Sequence, residues 1–142
     1  MTAPLWTPEA VKARLAEAAE ALRRLPSARL KARLSAWPDV VQSSAEAYGY
    51  DSAGMRPAAP GPAAISRMDE TLGWLFWLEA GARRILWARA MGVPWRRLED
   101  MDGRSHVTLK RVQDKALATL AMRLNDHTNT KIGPAVLHPG NT

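Results

Sequence analysis

The chain has 142 residues, of which 46% are hydrophobic and 24% are charged, a composition typical of one globular domain or of one domain with a small appendage. It contains no cysteine, which excludes disulfides and thiolate metal sites and favours a cytoplasmic protein. The sequence has no apolar run long enough for a membrane span, no signal-peptide pattern, no metal-like histidine spacing and no catalytic motif. We therefore expect a non-membrane protein that is not an enzyme and uses no cofactor or metal.

Residues 1–48 predict a small helical module. Thr7 is placed to cap a helix that opens at the following proline, and Pro26 ends that helix. Ser27 is placed to cap a second helix, and Pro38 is placed to open a third, short one.

A linker rich in proline and glycine occupies residues 49–64 and is incompatible with a regular helix or a central strand. Beyond it, Ser66 is predicted to begin a new helix through a loose capping box, and Gly81 to break that helix. Gly92 is predicted to end the next helix, and residues 126–142 are expected to form an irregular tail. The fold class predicted from the whole pattern is all-α.

Four of the six tryptophans, Trp74, Trp77, Trp87 and Trp95, fall in the C-terminal half. Their helical spacing favours core positions over stacking on bases. Trp6 and Trp37 are predicted to anchor the N-terminal module or a partner surface.

The net charge of +6 is concentrated at one end of the chain. Residues 51–80 hold two basic and four acidic side chains, whereas residues 81–142 hold eleven basic and five acidic ones. A localised basic surface is the usual electrostatic footprint of nucleic-acid binding. A generally basic protein from an arginine-rich proteome explains the charge alone equally well.

Residues 65–125 are predicted to end in a helix-turn-helix. Pro94 opens a short helix, Gly103 stands where the chain must turn sharply, and Ser105 is placed to cap a long final helix. In such a unit the second helix braces the third, so that the N-terminal turns of the third, about residues 105–115, enter the major groove.

The candidate DNA-binding residues are the polar and basic side chains around this turn and away from the apolar stripe of the last helix. The side chains before the recognition helix are placed to contact phosphates. Those on its first turns are placed to contact base edges, or phosphates at the helix N-terminus. They are Arg96, Arg97, Arg104, Ser105, His106, Thr108, Lys110, Arg111 and Lys115.

One pattern in this region is Gly92-Val93-Pro94-Trp95, then Leu98, Met101, Gly103, Ser105, Thr108, Leu109 and Lys110. Over about residues 82–125 it resembles region 4 of bacterial sigma factors, the region that binds promoter DNA. The resemblance implies a helix-turn-helix that contacts double-stranded DNA, with Leu98 and Met101 as apolar anchors. RNA polymerase is a further candidate partner, under the alternative that this unit binds a protein.

Two positions depart from the sigma-like pattern. Glu99 stands where a small residue is usual, and Asp102 stands where an apolar residue is usual. Because burying two unpaired carboxylates is costly, we expect them either to reach water or to pair with Arg96, Arg104 or Lys110.

Short motifs are spread along most of the chain: AWPDVV at 36–41, AYGY at 47–50, RMDE at 67–70, LGWL at 72–75 and WARA at 87–90. Together they resemble a family of small uncharacterised bacterial and prophage-encoded proteins with a C-terminal helix-turn-helix. This second resemblance implies the same helix-turn-helix and brings no established activity.

The function expected from the sequence is DNA binding in transcriptional regulation, by a homo-oligomer. Two alternatives stay open. A phage packaging subunit of the small-terminase type would bind viral DNA as a ring, whereas a regulator would be a dimer. A protein-interaction module with a degenerate helix-turn-helix would present Glu99 and Asp102 to another protein, and would bind no DNA even at low salt.

Overall fold

The computed structural model describes residues 5–26, 33–49 and 58–132. Within these ranges the chain is all-α, as the sequence predicted, and none of the helices is long and apolar enough to cross a bilayer. The helices are α1 (Pro8–Arg24), α2 (Asp39–Gly49), α3 (Pro62–Trp74), α4 (Ala80–Ala90), α5 (Trp95–Asp102) and α6 (His106–Ile132). Two short 3-10 turns, Leu34–Ala36 and Leu75–Trp77, precede α2 and follow α3.

The start of α1 confirms the prediction made from the sequence. The hydroxyl of Thr7 accepts a hydrogen bond from the backbone N–H of Ala10 at 3.1 Å, and Pro8 takes the first helical position, where no N–H donor is needed. The helix ends at Arg24, just before Pro26. The helix predicted to start at Ser27 lies outside the described residues.

The predicted start of α3 at Ser66 is wrong. The helix begins at Pro62, and the carbonyl of Gly61 accepts the first helical hydrogen bond, from Ile65, at 3.0 Å. Pro62 has its backbone φ already set for a helix, and Ser66 then continues the helix that is already formed.

The predicted break at Gly81 is also wrong. α3 ends at Trp74, and Gly81 lies in the first turn of α4. The carboxylate of Glu79 caps α4, because it accepts the backbone N–H groups of Gly81 and Ala82 at 2.9 Å each.

The expectation of an irregular tail from residue 126 is wrong for residues 126–132, which continue α6. The Asn125 side chain accepts the backbone N–H of Trp6 at 2.7 Å and donates to the Trp6 carbonyl at 3.1 Å. The His127 ring stacks on Trp77 at 5.2 Å. These contacts hold the last turns of α6 against the body of the protein, and no glycine or proline interrupts 126–132.

One hydrophobic core draws on α1, α2, α3, α4 and α6. Its largest fully buried side chains include Leu15, Leu22, Met68, Trp87 and Leu120. Helices from both sides of the proline-rich segment therefore pack against each other. The division into modules 1–48 and 65–125 stays a prediction about folding.

Of the four tryptophans predicted for the core, two are fully buried and two are partly buried. Trp37, Trp74 and Trp87 are buried, and Trp6 packs edge-on against Trp74 with ring centroids 5.2 Å apart. Trp77 is partly buried against the same core, and Trp95 is partly buried against a second, smaller cluster of buried side chains.

Candidate nucleic-acid interface

The end of α4 is shaped by Gly92, whose φ of +90° lies in the left-handed region. The Gly92 N–H donates to the carbonyl of Arg89, and the Val93 N–H donates to the carbonyl of Ala88, both at 3.0 Å. This pair of bonds is the Schellman motif, which ends a helix and turns the chain sharply. It sends the chain into α5 after only a few residues.

The turn between α5 and α6 follows the predicted pattern. Gly103 has φ +93°, and its N–H donates to the carbonyl of Glu99 at 2.8 Å. The Ser105 hydroxyl accepts the N–H of Thr108 at 3.3 Å, and the Ser105 carbonyl accepts that of Leu109 at 3.0 Å. Ser105 is therefore the N-cap of α6.

A second, smaller core lies behind this turn. It is built from Ile85 of α4, Leu98 of α5 and Leu109 of α6, all at most 4% exposed. One buried side chain from each helix fixes the three helices relative to one another. Leu98 thus serves as the predicted anchor, whereas Met101 is 71% exposed and does not.

Glu99 joins the end of α5 to the start of α6. Its Oε2 accepts the backbone N–H of His106 at 2.5 Å and lies 2.7 Å from His106 Nδ1. These two hydrogen bonds lower the pKa of Glu99 below its ordinary value, and the bond from the backbone N–H of His106 has the larger effect. We expected Glu99 to reach water or to pair with a basic side chain; it is about one third exposed, and its partner is His106.

Asp102 pairs with Arg104, one of the three partners that the sequence suggested. Arg104 Nε lies 2.7 Å from Oδ2 and Arg104 Nη2 lies 3.1 Å from Oδ1. These hydrogen bonds lower the pKa of Asp102 and raise that of Arg104. The charge of Arg104 is therefore already opposed by a carboxylate within the turn.

Residues 23–120 match the model of a family described as a domain of unknown function, DUF6362. The chain belongs to the DUF6362 family. The matched range holds all of α2 to α5 and the first half of α6, so the α5–α6 turn lies within the DUF6362 domain. No match was found among curated proteins or among solved structures.

The nine candidate residues of the DUF6362 chain fall into two groups. The side chains of Arg104, Ser105, His106 and Thr108 are held by hydrogen bonds within the turn. The others are exposed and make no hydrogen bond or ion pair with any residue that the structure describes. These exposed basic residues are Arg96, Arg97, Lys110, Arg111 and Lys115.

Val107 was not among the candidate residues, although it lies between two of them in the sequence. Its side chain is 50% exposed on the first turn of α6. The sequence prediction selected only polar and basic residues of this helix, but Val107 is out of register with the buried stripe of Leu109, Ala116 and Leu120. That mismatch is the signal that marks it in the DUF6362 sequence.

Proposed function

We propose that this DUF6362 protein is a DNA-binding helix-turn-helix protein that acts in transcriptional regulation. In this proposal α4, α5 and α6 form the unit, and residues 105–115 of α6 enter the major groove of double-stranded DNA. The observation that carries it is the group of exposed basic side chains on the two helices that meet at the Gly103 turn.

Electrostatics supports this proposal. Lysine and arginine side chains that neutralise phosphates release condensed counterions, which drives binding to DNA. Arg96 and Arg97 lie on the first turn of α5, where they suit the phosphate backbone, and Lys110 and Arg111 lie in the first two turns of α6. None of these four has a described hydrogen bond or ion pair that DNA would have to break.

Rigidity supports it as well. A recognition helix reads a groove only when it is held at a fixed angle to its bracing helix. Ile85, Leu98 and Leu109 provide the apolar contact between the three helices, and Glu99 and Ser105 cap the start of α6. Within this proposal, the polar residues of the turn shape the unit, and the five exposed basic residues make the main contacts with DNA.

The test is fluorescence anisotropy of labelled duplex DNA over a series of salt concentrations. We expect wild-type affinity to fall linearly with salt on logarithmic axes, and Lys110→Ala/Arg111→Ala to bind more weakly. Each phosphate contact that is lost should reduce the slope by about one unit. Lys12→Ala/Arg24→Ala, on α1, removes the same charge elsewhere and should change affinity much less.

Absence of binding by the wild-type protein at low salt would reject the proposal and would favour the protein-interaction module, with RNA polymerase as the first partner to test. Equal losses in the two double variants would show an unspecific effect of net charge instead.

We propose that the protein is a homo-oligomer. Regulators with this motif are usually dimers, because two copies read two half-sites. Light scattering on the purified protein measures its mass in solution directly. A dimer supports regulation, whereas a large ring supports the alternative of a packaging subunit.

A further inference from the structure

The first turn of α6 presents an apolar side chain on an otherwise charged face. Val107 is 50% exposed, and the residues three and four positions further along, Lys110 and Arg111, share its face of the helix and are exposed too. An apolar group in this position gains free energy only when a partner covers it. The two cations one helical turn away indicate that the partner is negatively charged.

The neighbouring polar side chains already take part in hydrogen bonds within the turn. Ser105 and Thr108 take part in the helix cap, and the ring of His106 is held by Glu99. The side chains without a described polar contact on the first two turns of this face are therefore Val107, Lys110 and Arg111. A ligand that meets this face meets one apolar group, with two cationic groups about one helical turn further along.

We propose that Val107 contacts the 5-methyl group of a thymine in the major groove and makes the protein prefer a T·A pair at one position of its site. The inference rests on the proposed DNA binding. The thymine methyl is the apolar group that base edges present in the major groove, and DNA also supplies the negative charge that Lys110 and Arg111 require.

Among the other exposed apolar side chains, Leu5 and Phe76 lie outside α5 and α6, and the two on those helices are less suited to this role. Met122 is 63% exposed, but it lies fifteen residues further along α6, about 22 Å from Val107 at the rise of an α-helix. Met101 is on α5, before the turn. Val107 alone of the three stands on the first turn of α6, the part of a recognition helix that approaches base edges.

The experiment first selects tight-binding duplexes from a random library with the wild-type protein. Each thymine of the selected site is then replaced by deoxyuridine, which removes only the methyl group, and affinity is measured by anisotropy at one salt concentration. At one position per bound copy we expect the replacement to weaken wild-type binding about fourfold, the effect of losing one buried methyl-sized group.

Val107→Ala should bind the thymine duplex more weakly and should lose the discrimination between thymine and uracil at that position. Met122→Ala, which shortens an exposed apolar side chain far from the turn, should keep it. Because Val107 is exposed, circular dichroism of Val107→Ala should match that of wild type. The comparison is a double-mutant cycle between one side chain and one methyl group.

Binding in which no uracil replacement matters, or in which Val107→Ala discriminates as strongly as wild type, would overturn this inference and leave the proposed DNA binding intact. Failure of any duplex to bind in the salt series would overturn both.

Discussion

Glu99 has two effects at the turn between α5 and α6. Its carboxylate, which is ionised at neutral pH, caps α6 by accepting the N–H of His106, and this hydrogen bond lowers its pKa further. A carboxylate at this place also repels the phosphates of any DNA that approaches the start of α6. The residue thus stabilises the turn and, within the proposed function, limits affinity for DNA.

Glu99→Gln separates these two effects. The amide oxygen of glutamine can still accept the N–H of His106, but the negative charge is lost. We expect DNA binding to become about two- to fivefold tighter, the range typical of one exposed charge contact. Anisotropy at low salt measures this change.

Asp100→Asn is the matched control, because Asp100 lies next to Glu99 on α5, is exposed, and makes no hydrogen bond with a described residue. It should change affinity less than Glu99→Gln. Weaker binding by Glu99→Gln would mean that the charge of Glu99 helps to place α6 more than it repels DNA.

Replacement by alanine should have opposite effects on stability at two glycines. Gly103 has φ +93°, and a Cβ added there would meet no heavy atom within 4 Å, so alanine at this position meets only backbone strain. Gly73 is helical and also has open space around it. We expect Gly103→Ala to lower the free energy of unfolding by about 1 kcal/mol, and Gly73→Ala to raise it by about 0.5–1 kcal/mol.

Urea denaturation followed by circular dichroism measures both free energies under one set of conditions. If Gly103→Ala were as stable as wild type, the left-handed turn would not be required at this place.

Local chemistry predicted several features correctly, although the local signals at Ser66 and Gly81 were misleading, and the end of α6 depends on a distant contact that was not predictable. Thr7, Gly103 and Ser105 act within a few residues of themselves, and the structure confirms all three. The continuation of α6 beyond residue 125 depends on the bonds between Asn125 and Trp6, which are 119 residues apart in the chain. No periodicity in the sequence carries that information.

The candidate site was predictable in composition and only partly in geometry. Exposure of Lys110 and Arg111 follows from their position off the apolar stripe, and the pairing of Asp102 with Arg104 was one of the expected alternatives. The contact of Glu99 with His106 was not foreseen. It spans the turn, so it depends on how Gly103 orients the two helices.

Lowered pKa values of several carboxylates predict how the stability of the folded protein changes with pH. Hydrogen bonds from Arg67 lower the pKa of Glu17, those from the N–H groups of Gly81 and Ala82 lower that of Glu79, and Glu99 is lowered as well. A lowered pKa in the folded state stabilises the protein above the unfolded value, about 4.3 for glutamate, and the gain is lost as pH falls through the folded value.

We therefore expect the melting temperature to change little from these groups between pH 7 and about pH 5, and to fall as the pH decreases further. Thermal melts at constant ionic strength check this. Glu17→Gln should show a shallower acid dependence than Asp114→Asn, which replaces an exposed carboxylate without a described hydrogen bond or ion pair. A melting temperature that rises on acidification would contradict the assignment.

The shared core predicts that α1 and the helices α4 to α6 of the proposed DNA-binding unit unfold together. Leu15 of α1 is 1% exposed and belongs to the same cluster as Leu120 of α6, so Leu15→Ala should cost about 2–5 kcal/mol. If the protein unfolds as a single cooperative unit, hydrogen exchange should show the same loss of opening free energy in the slowest-exchanging amides of α1, α4 and α6. Leu5→Ala, at a residue that is 54% exposed, should leave them nearly unchanged. If Leu15→Ala weakened protection in α1 alone, the two predicted modules would fold separately, and residues 65–125 would be the part to test for DNA binding by itself.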